Sequence, residues 1–182
     1  MRVLSASERG LLELGKANDL PADERTRLIR EVYTPVETMA QWLYFNSSNR
    51  EEKKPLTKKQ LEQYYAEVKP LIEKVISIGR AYTLTPSATH YLVELCSRVI
   101  EFDPRGVIKT VDDLCSLPTG YTFDSFAINE ITKLIELSVA DYKEALRDEA
   151  TMKRLVRIID TFVKAGWSEA IELSLKLDSV WR

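Results

Sequence analysis

Histidine, cysteine and glycine are scarce in this 182-residue chain: one, two and six respectively, beside seven prolines. Each shortage removes a class of explanation. A zinc site needs three or four ligands, and the single histidine, His90, has no second histidine or nearby cysteine pair to join it, only Glu94 one turn later. Two cysteines, Cys96 and Cys115, close at most one bridge, and each falls on the apolar side of an expected helix, where a thiol packs as a small hydrophobe. Six glycines are few for a protein built from many hairpins. No glycine-rich phosphate loop, no Gly-x-Ser-x-Gly elbow and no metalloprotease His-Glu pair occurs, so the common nucleotide-binding and hydrolase classes are excluded by motif. No uncharged run approaches the roughly 20 residues that span a bilayer, and Met1-Arg2-Val3-Leu4-Ser5-Ala6-Ser7-Glu8 lacks the apolar stretch of a signal peptide. A cytoplasmic, reducing location is the expectation. The net charge of −2 also argues against a dedicated nucleic-acid or membrane-surface protein.

What the chain does have is apolar residues at helical spacing. Of its residues 45% are hydrophobic and 30% charged, enough for a core and unlike a disordered chain. Over Thr151 to Ala165, Met152, Leu155, Val156, Ile159, Phe162 and Val163 recur at steps of three and four, with Lys153, Arg154, Arg157, Asp160 and Lys164 opposite. Gly166 ends that helix, and Ser168 is the expected cap of the next, which carries Ala170, Ile171, Leu173, Leu177 and Val180. A helix from Pro86 to Phe102 buries Ala88, Tyr91, Leu92, Leu95, Cys96 and Val99, with Thr85 capping it and Pro86 in its first turn. Asp103-Pro104 repeats that device for a short helix through Val107, Ile108, Val111, Leu114 and Cys115, stopped by Leu117-Pro118-Thr119-Gly120. Asp124 or Ser125 opens a helix through Ile128, Ile131, Leu134, Ile135 and Tyr142 to about Leu146.

The N-terminal half holds two longer helices, each containing a proline. From Thr57, with Gln60 completing a capping box, the stripe Leu61, Tyr64, Tyr65, Val68, Ile72, Val75 and Ile76 keeps its phase across Pro70. From Pro21 to Phe45, Leu28, Ile29, Val32, Val36, Met39, Ala40 and Leu43 keep register across Pro35. A preserved phase predicts one kinked helix rather than two. A shorter helix is expected around Ser7 to Lys16, and Asn46 to Pro55 reads as an exposed, mobile, polar loop. No segment alternates as a half-buried strand does. The fold class is therefore all-α: antiparallel helix pairs in a bundle or short α-solenoid, about seven to eight helices, two of them proline-kinked. One unit over 1–182 is expected, with a possible subdivision into 1–83 and 84–182.

Apolar positions coincide at a fixed offset between two stretches: Leu92 with Leu155, Val93 with Val156, Leu95 with Ile158, Val99 with Phe162, Ile100 with Val163, and Ile108 with Ile171. Together with Val99-Ile100-Glu101-Phe102-Asp103-Pro104 followed by Val107-Ile108, and the closing Ala165-Gly166-Trp167, this makes residues 85–182 resemble an α-solenoid of the HEAT or armadillo type. The resemblance implies a binding scaffold, commonly one segment of a longer protein, and transfers no functional residues. No repeat-defining signature is intact, and the proline-bearing helices fall outside it.

Few constellations carry chemistry. Cys96 lies six positions from His90, about 240° around a straight helix, so the pair does not form a nucleophile and its base. Asp112-Asp113 and Asp148-Glu149 are neighbours that diverge by about 100° on a helix, and capping and solubility account for them. The most distinctive neighbourhood is Trp42, Tyr44 and Phe45, followed by Arg50, Lys53, Lys54, Lys58 and Lys59. Aromatic anchors with a charged rim suit a protein interface; the same residues could stack on bases and neutralise phosphates. Trp167 and Trp181 are further candidate contacts toward the C-terminal edge. The expectation is a non-catalytic interaction module, with no catalytic residue, metal or cofactor assigned. Its partner would be another protein or another domain of the same larger protein. A nucleic-acid-binding helical domain using residues 50–59 is the first alternative. A helical enzyme, with a pocket where Pro35 and Pro70 bend their helices, is the second.

Overall fold

The computed structural model describes residues 21–49, 54–82, 84–117 and 125–180. The expected Ser7–Lys16 helix, Arg50, Lys53, the Pro118–Gly120 stop and Trp181 lie outside the described residues. Among those described, eight helices follow one another: α1 Ala22–Phe45, α2 Lys58–Tyr82, α3 Pro86–Val99, α4 Pro104–Cys115, α5 Ser125–Ala140, the single turn α6 Lys143–Leu146, α7 Glu149–Lys164 and α8 Ser168–Val180. The chain is all-α, and none of these helices is long and apolar enough to cross a membrane.

Local chemistry sets most of the boundaries. Thr57 and Gln60 form the capping box: the Thr57 N–H donates to Gln60 Oε1 at 3.0 Å, and the Gln60 N–H to Thr57 Oγ1 at 3.4 Å. Thr85 caps α3 by accepting from the Ala88 N–H at 3.2 Å, and Asp148 caps α7 by accepting from the Thr151 N–H at 2.8 Å. Both α1 and α2 run on through Pro35 and Pro70. Pro70 sits at an exposed position, as does Ala66, whose carbonyl loses its amide donor to the ring, so no buried acceptor is orphaned. At the far end of α7, Gly166 takes φ 82°, and the N–H groups of Gly166 and Trp167 return to the carbonyls of Val163 and Phe162 at 3.0 and 3.1 Å. This is a Schellman stop, whose left-handed residue favours glycine.

The helices pack in two rows. α1, α3 and α5 lie side by side in one, with α8 against α5; α2, α4 and α7 form the other, and α7 closes back on α8. One apolar cluster runs between the rows from Val36 to Leu173, and Leu43, Leu92, Leu95, Leu114, Ile131, Leu155 and Ile158 are its most enclosed side chains. Where α4, α5 and α7 meet, Val107, Val111, Ile131, Leu134 and Leu155 surround a void of about 10 Å³, at the lower limit for a single water. It is apolar and lined by neither α1 nor α2, so it is not the polar pocket expected near Pro35 and Pro70.

Four local expectations need correction. The helix expected to reach Leu146 stops at Ala140; Asp141 and Tyr142 interrupt it, and the restart turns Ala145 and Leu146 into the core. Ser168 is not the cap of α8. Trp167 holds that place, its carbonyl accepting from the Ile171 N–H, while the Ser168 hydroxyl donates to Glu169. The loop after α1 is anchored at its ends: Ser48–Asn49 pairs antiparallel with Lys54–Pro55, and Ser47 is buried.

The fourth correction is the largest. Asp112 and Asp113 are structural ion-pair partners, not solvated acids. Asp112 is only 5% exposed. Its carboxylate takes one edge of Arg157 on α7 in bidentate fashion (Nε to Oδ1 at 3.1 Å, Nη2 to Oδ2 shorter still), and Arg154 Nε stands 3.9 Å away. The divergence along α4 aims Asp113 the other way, to Arg80 on α2 at 2.5 Å and to Lys109 at 3.0 Å. Adjacent acids thus join all three helices of the second row.

The start of α4 is tied down as firmly. Asp103 accepts from the Gly106 N–H at 2.9 Å, from Lys69 Nζ at 2.6 Å and from the Tyr65 hydroxyl at 3.3 Å. Burial alone would raise its pKa, but the Lys69 ammonium, the Gly106 N–H and the Tyr65 hydroxyl together hold it below the ordinary carboxylate range. A Cβ on Gly106 would lie 2.1 Å from the Asp103 carboxylate. Alanine for a helical glycine ordinarily stabilises by about 1 kcal/mol. Here Gly106→Ala should instead lower the unfolding midpoint, because it evicts the cap. Asp103→Ala should cost about 1–2 kcal/mol in urea unfolding. Because the folded pKa is depressed, Asp103 contributes stability that is complete above the unfolded carboxyl pKa of about 3.9 and is lost as pH falls through the lower folded value. Asp103→Asn should flatten that acid limb; an unchanged limb would contradict the assignment.

Candidate functional site

The end of α1 accounts for the site. An α-helix leaves its last four carbonyls without intrahelical donors, and here each finds one. Trp42 O accepts from the Asn46 N–H at 3.0 Å and from Asn46 Nδ2 at 2.8 Å. Leu43 O accepts from the Tyr64 hydroxyl at 2.6 Å. Tyr44 O accepts from the Ser47 hydroxyl at 2.6 Å, and Phe45 O from the Ser48 hydroxyl at 3.0 Å. The polar run Asn46-Ser47-Ser48 is thus the closure of a helix end.

That closure holds an aromatic corner against α3. The rings of Tyr44, Phe45 and Tyr91 form a mutual triangle, with centroids 5.1, 5.5 and 5.4 Å apart. His90, half-buried, meets Tyr91 edge-on at 5.5 Å. Arg98, two turns along α3 from Tyr91, lays its guanidinium over the Tyr44 ring, 4.0 Å from the centroid. Its Nη1 donates to Ser47 Oγ at 2.7 Å and reaches Tyr44 O at 3.5 Å. Trp42 and Phe45, one turn apart on α1, remain 47% and 38% exposed. An exposed tryptophan beside a packed ring cluster is unusual on a solvated surface and typical of interface anchors.

Among the described basic residues, Lys58 is committed away from this corner. Lys58 pairs with Glu101 at 2.6 Å and lies 5.8 Å from the Phe102 ring centroid, at the α3–α4 turn. Lys59 is exposed in the first turn of α2, and Lys54 lies in the short pair with Asn49. Arg50 and Lys53 fall outside the described residues. The cation that does join the aromatics, Arg98, was not singled out from the sequence; it stands far from Tyr44 along the chain, and only its position one turn beyond Glu94 on the Tyr91 side of α3 could have pointed to it. Trp167 is half-buried against the core and belongs to the α7–α8 turn. Trp181 lies outside the described residues.

Nucleophilic chemistry finds no support at the thiols. Burial pushes the Cys96 thiol up to about 12, and burial with the neighbouring Asp112 charge raises that of Cys115. No group of three or more metal-ligating side chains occurs among the described residues.

Tyr64, the donor that closes α1, is raised to about 12 by burial. An unfolded tyrosine ionises near 10, so stability should fall as pH rises between these two values, and Tyr64→Phe should remove that part of the fall. The same substitution should cost about 1 kcal/mol at neutral pH through the lost hydrogen bond. Urea unfolding followed from pH 7 to pH 12 measures both.

Comparison with known proteins finds no family model, no curated protein and no solved structure that matches this chain.

Proposed function

We propose that this chain is a non-catalytic interaction scaffold that binds another protein, or another domain of the same larger protein, through the aromatic corner at the end of α1. The carrying observation is the exposure of Trp42 and Phe45 on a helix end whose backbone Tyr64 closes and whose Tyr44 ring packs on Tyr91 and Arg98. Large aromatic side chains held by a rigid base lose little conformational entropy on binding, which is what gives them high contact energy. The helices stack as α1–α3–α5 beside α2–α4–α7, and a scaffold of this kind buries one face of each helix while leaving edges open to partners. Apolar side chains elsewhere on the surface, Ile171 and Leu175 on α8, offer a second place for contact.

Trp42→Ala and Phe45→Ala each remove exposed surface and should leave the unfolding midpoint within about 2 °C of the parent, consistent with positions outside the core. Each should weaken a partner captured by the intact protein by roughly 30-fold, the effect of losing an interface anchor worth about 2 kcal/mol. Quantitative capture from lysate with parent and variants side by side provides the measurement. A retained set indifferent to both substitutions would sink the proposal.

A further inference from the structure

We infer that the aromatic corner selects an acidic segment of its partner, a carboxylate next to an apolar or aromatic residue, and that Arg98 is the residue that reads the carboxylate. This rests on the corner being the docking face proposed above.

The inference starts from donor bookkeeping on Arg98. A guanidinium carries five N–H donors in a planar fork. Only Nη1 is engaged, by Ser47 Oγ and Tyr44 O. Among the described residues, Nε and Nη2 have no acceptor and no carboxylate pairs with Arg98. The other half-buried or interhelical cations are answered: Arg157 by Asp112, Arg80 by Asp113, Lys69 by Asp103. The nearest acid on the same helix, Glu94, stands one turn earlier, at the i, i+4 spacing that suits an ion pair. Among the described residues, Arg98 therefore meets only neutral oxygens at the end of α1, which fix its plane without a carboxylate partner.

Fixing the plane is what makes it a receptor. The stack on Tyr44 and the bond to Ser47 hold one edge, so the opposite edge is preorganised for a bidentate carboxylate. Phe45 and Tyr91, which pack on the Tyr44 ring beneath the guanidinium, provide apolar surface for a neighbouring side chain. A carboxylate-bearing peptide fits better than a nucleic acid. Strand binding needs several phosphate contacts along a groove, whereas Lys58 is already committed to Glu101 and the charge at the corner is a single guanidinium.

The test uses the full chain, isotopically labelled, and blocked synthetic peptides of alternating glutamate and phenylalanine or of alternating glutamine and phenylalanine. The glutamate peptide should give saturable shifts at the backbone amides of Tyr44, Phe45, Tyr91 and Arg98, and the glutamine peptide should bind at least about tenfold more weakly, the usual margin for a charge-assisted pair. Arg98→Gln should erase the difference between the two. Arg98→Lys should restore only part of it, because an ammonium keeps the charge but not the fork. Equal binding of the two peptides to the parent chain, absence of saturable shifts at millimolar peptide, or tighter binding of an oligothymidine would each overturn the inference. The two-peptide comparison needs no substitution, so it decides even if Arg98→Gln fails to fold. If the peptides bind alike while Trp42→Ala still releases the captured partner, the docking face stands and the carboxylate assignment falls.

Discussion

Everything in this fold hangs on the enclosure of α3. Ala88, Thr89, Leu92, Val93, Leu95, Cys96 and Val99 are all buried, half of the helix's fourteen residues and more than the single stripe a surface helix presents. A helix that is apolar around most of its circumference has to be surrounded. α1 and α5 take its flanks, and α2 and α4 lie behind it. Burying a side chain such as Leu92 or Leu95 contributes roughly 1.5–3 kcal/mol before conformational entropy is charged against it, so no other arrangement of these helices competes while α3 stays exposed. The strip left only half-buried holds His90, Tyr91, Glu94 and Arg98. The place where α1 ends against that strip is where the candidate site sits.

Ion pairs do a different job from the core. Burying Asp112 carries a desolvation cost that its bidentate partner Arg157 largely offsets, so the pair adds little net stability relative to an apolar substitute. It does add register. Arg157 reaches Asp112 only when α7 lies at one height along α4, and Arg80 reaches Asp113 only when α2 does the same. Greasy helix faces slide past one another at little cost; a doublet of acids that diverges toward two neighbours does not permit it. Asp103, bonded by Lys69 and Tyr65 from α2, fixes the other end of α4 by the same means.

Features carried by spacing were legible in the sequence, and features carried by distance were not. The phase kept across Pro35 and Pro70, the Thr57–Gln60 box, the Thr85, Asp103 and Asp148 positions and the Gly166 stop all depend on residues within four of each other, where chain geometry alone decides. Asp112 looked like a solvent acid because its partner lies 45 residues further on. The interruption at Asp141–Tyr142 has neither glycine nor proline to announce it; the core position of Leu146 requires it. Most positions that coincide at the fixed offset, Leu92 with Leu155 among them, fall on α3 and α7, which occupy opposite rows. The offset therefore relates helices of like amphipathic pattern, while the stacking runs between α1, α3 and α5 and between α2, α4 and α7. Trp42, Tyr44 and Phe45 stood out by composition, yet the cation that completes them came from another helix.

That borrowed cation follows from a deficiency in α1. A helix C-terminus carries partial negative charge and is commonly met by lysine or arginine in its own last turn. The last turn of α1 has none. Its carbonyls are closed instead by hydroxyls, an amide and the guanidinium of Arg98, which brings the missing positive charge from α3. A cap from the same helix would move with the helix end. A cap from a neighbouring helix locks the two together, and the aromatic rings between them, Tyr44 and Tyr91, become part of the lock. Rigidity at the corner is thus a by-product of how α1 terminates. Trp42 and Phe45 inherit it, because they sit on the last turn that Arg98, Tyr64 and Asn46 immobilise.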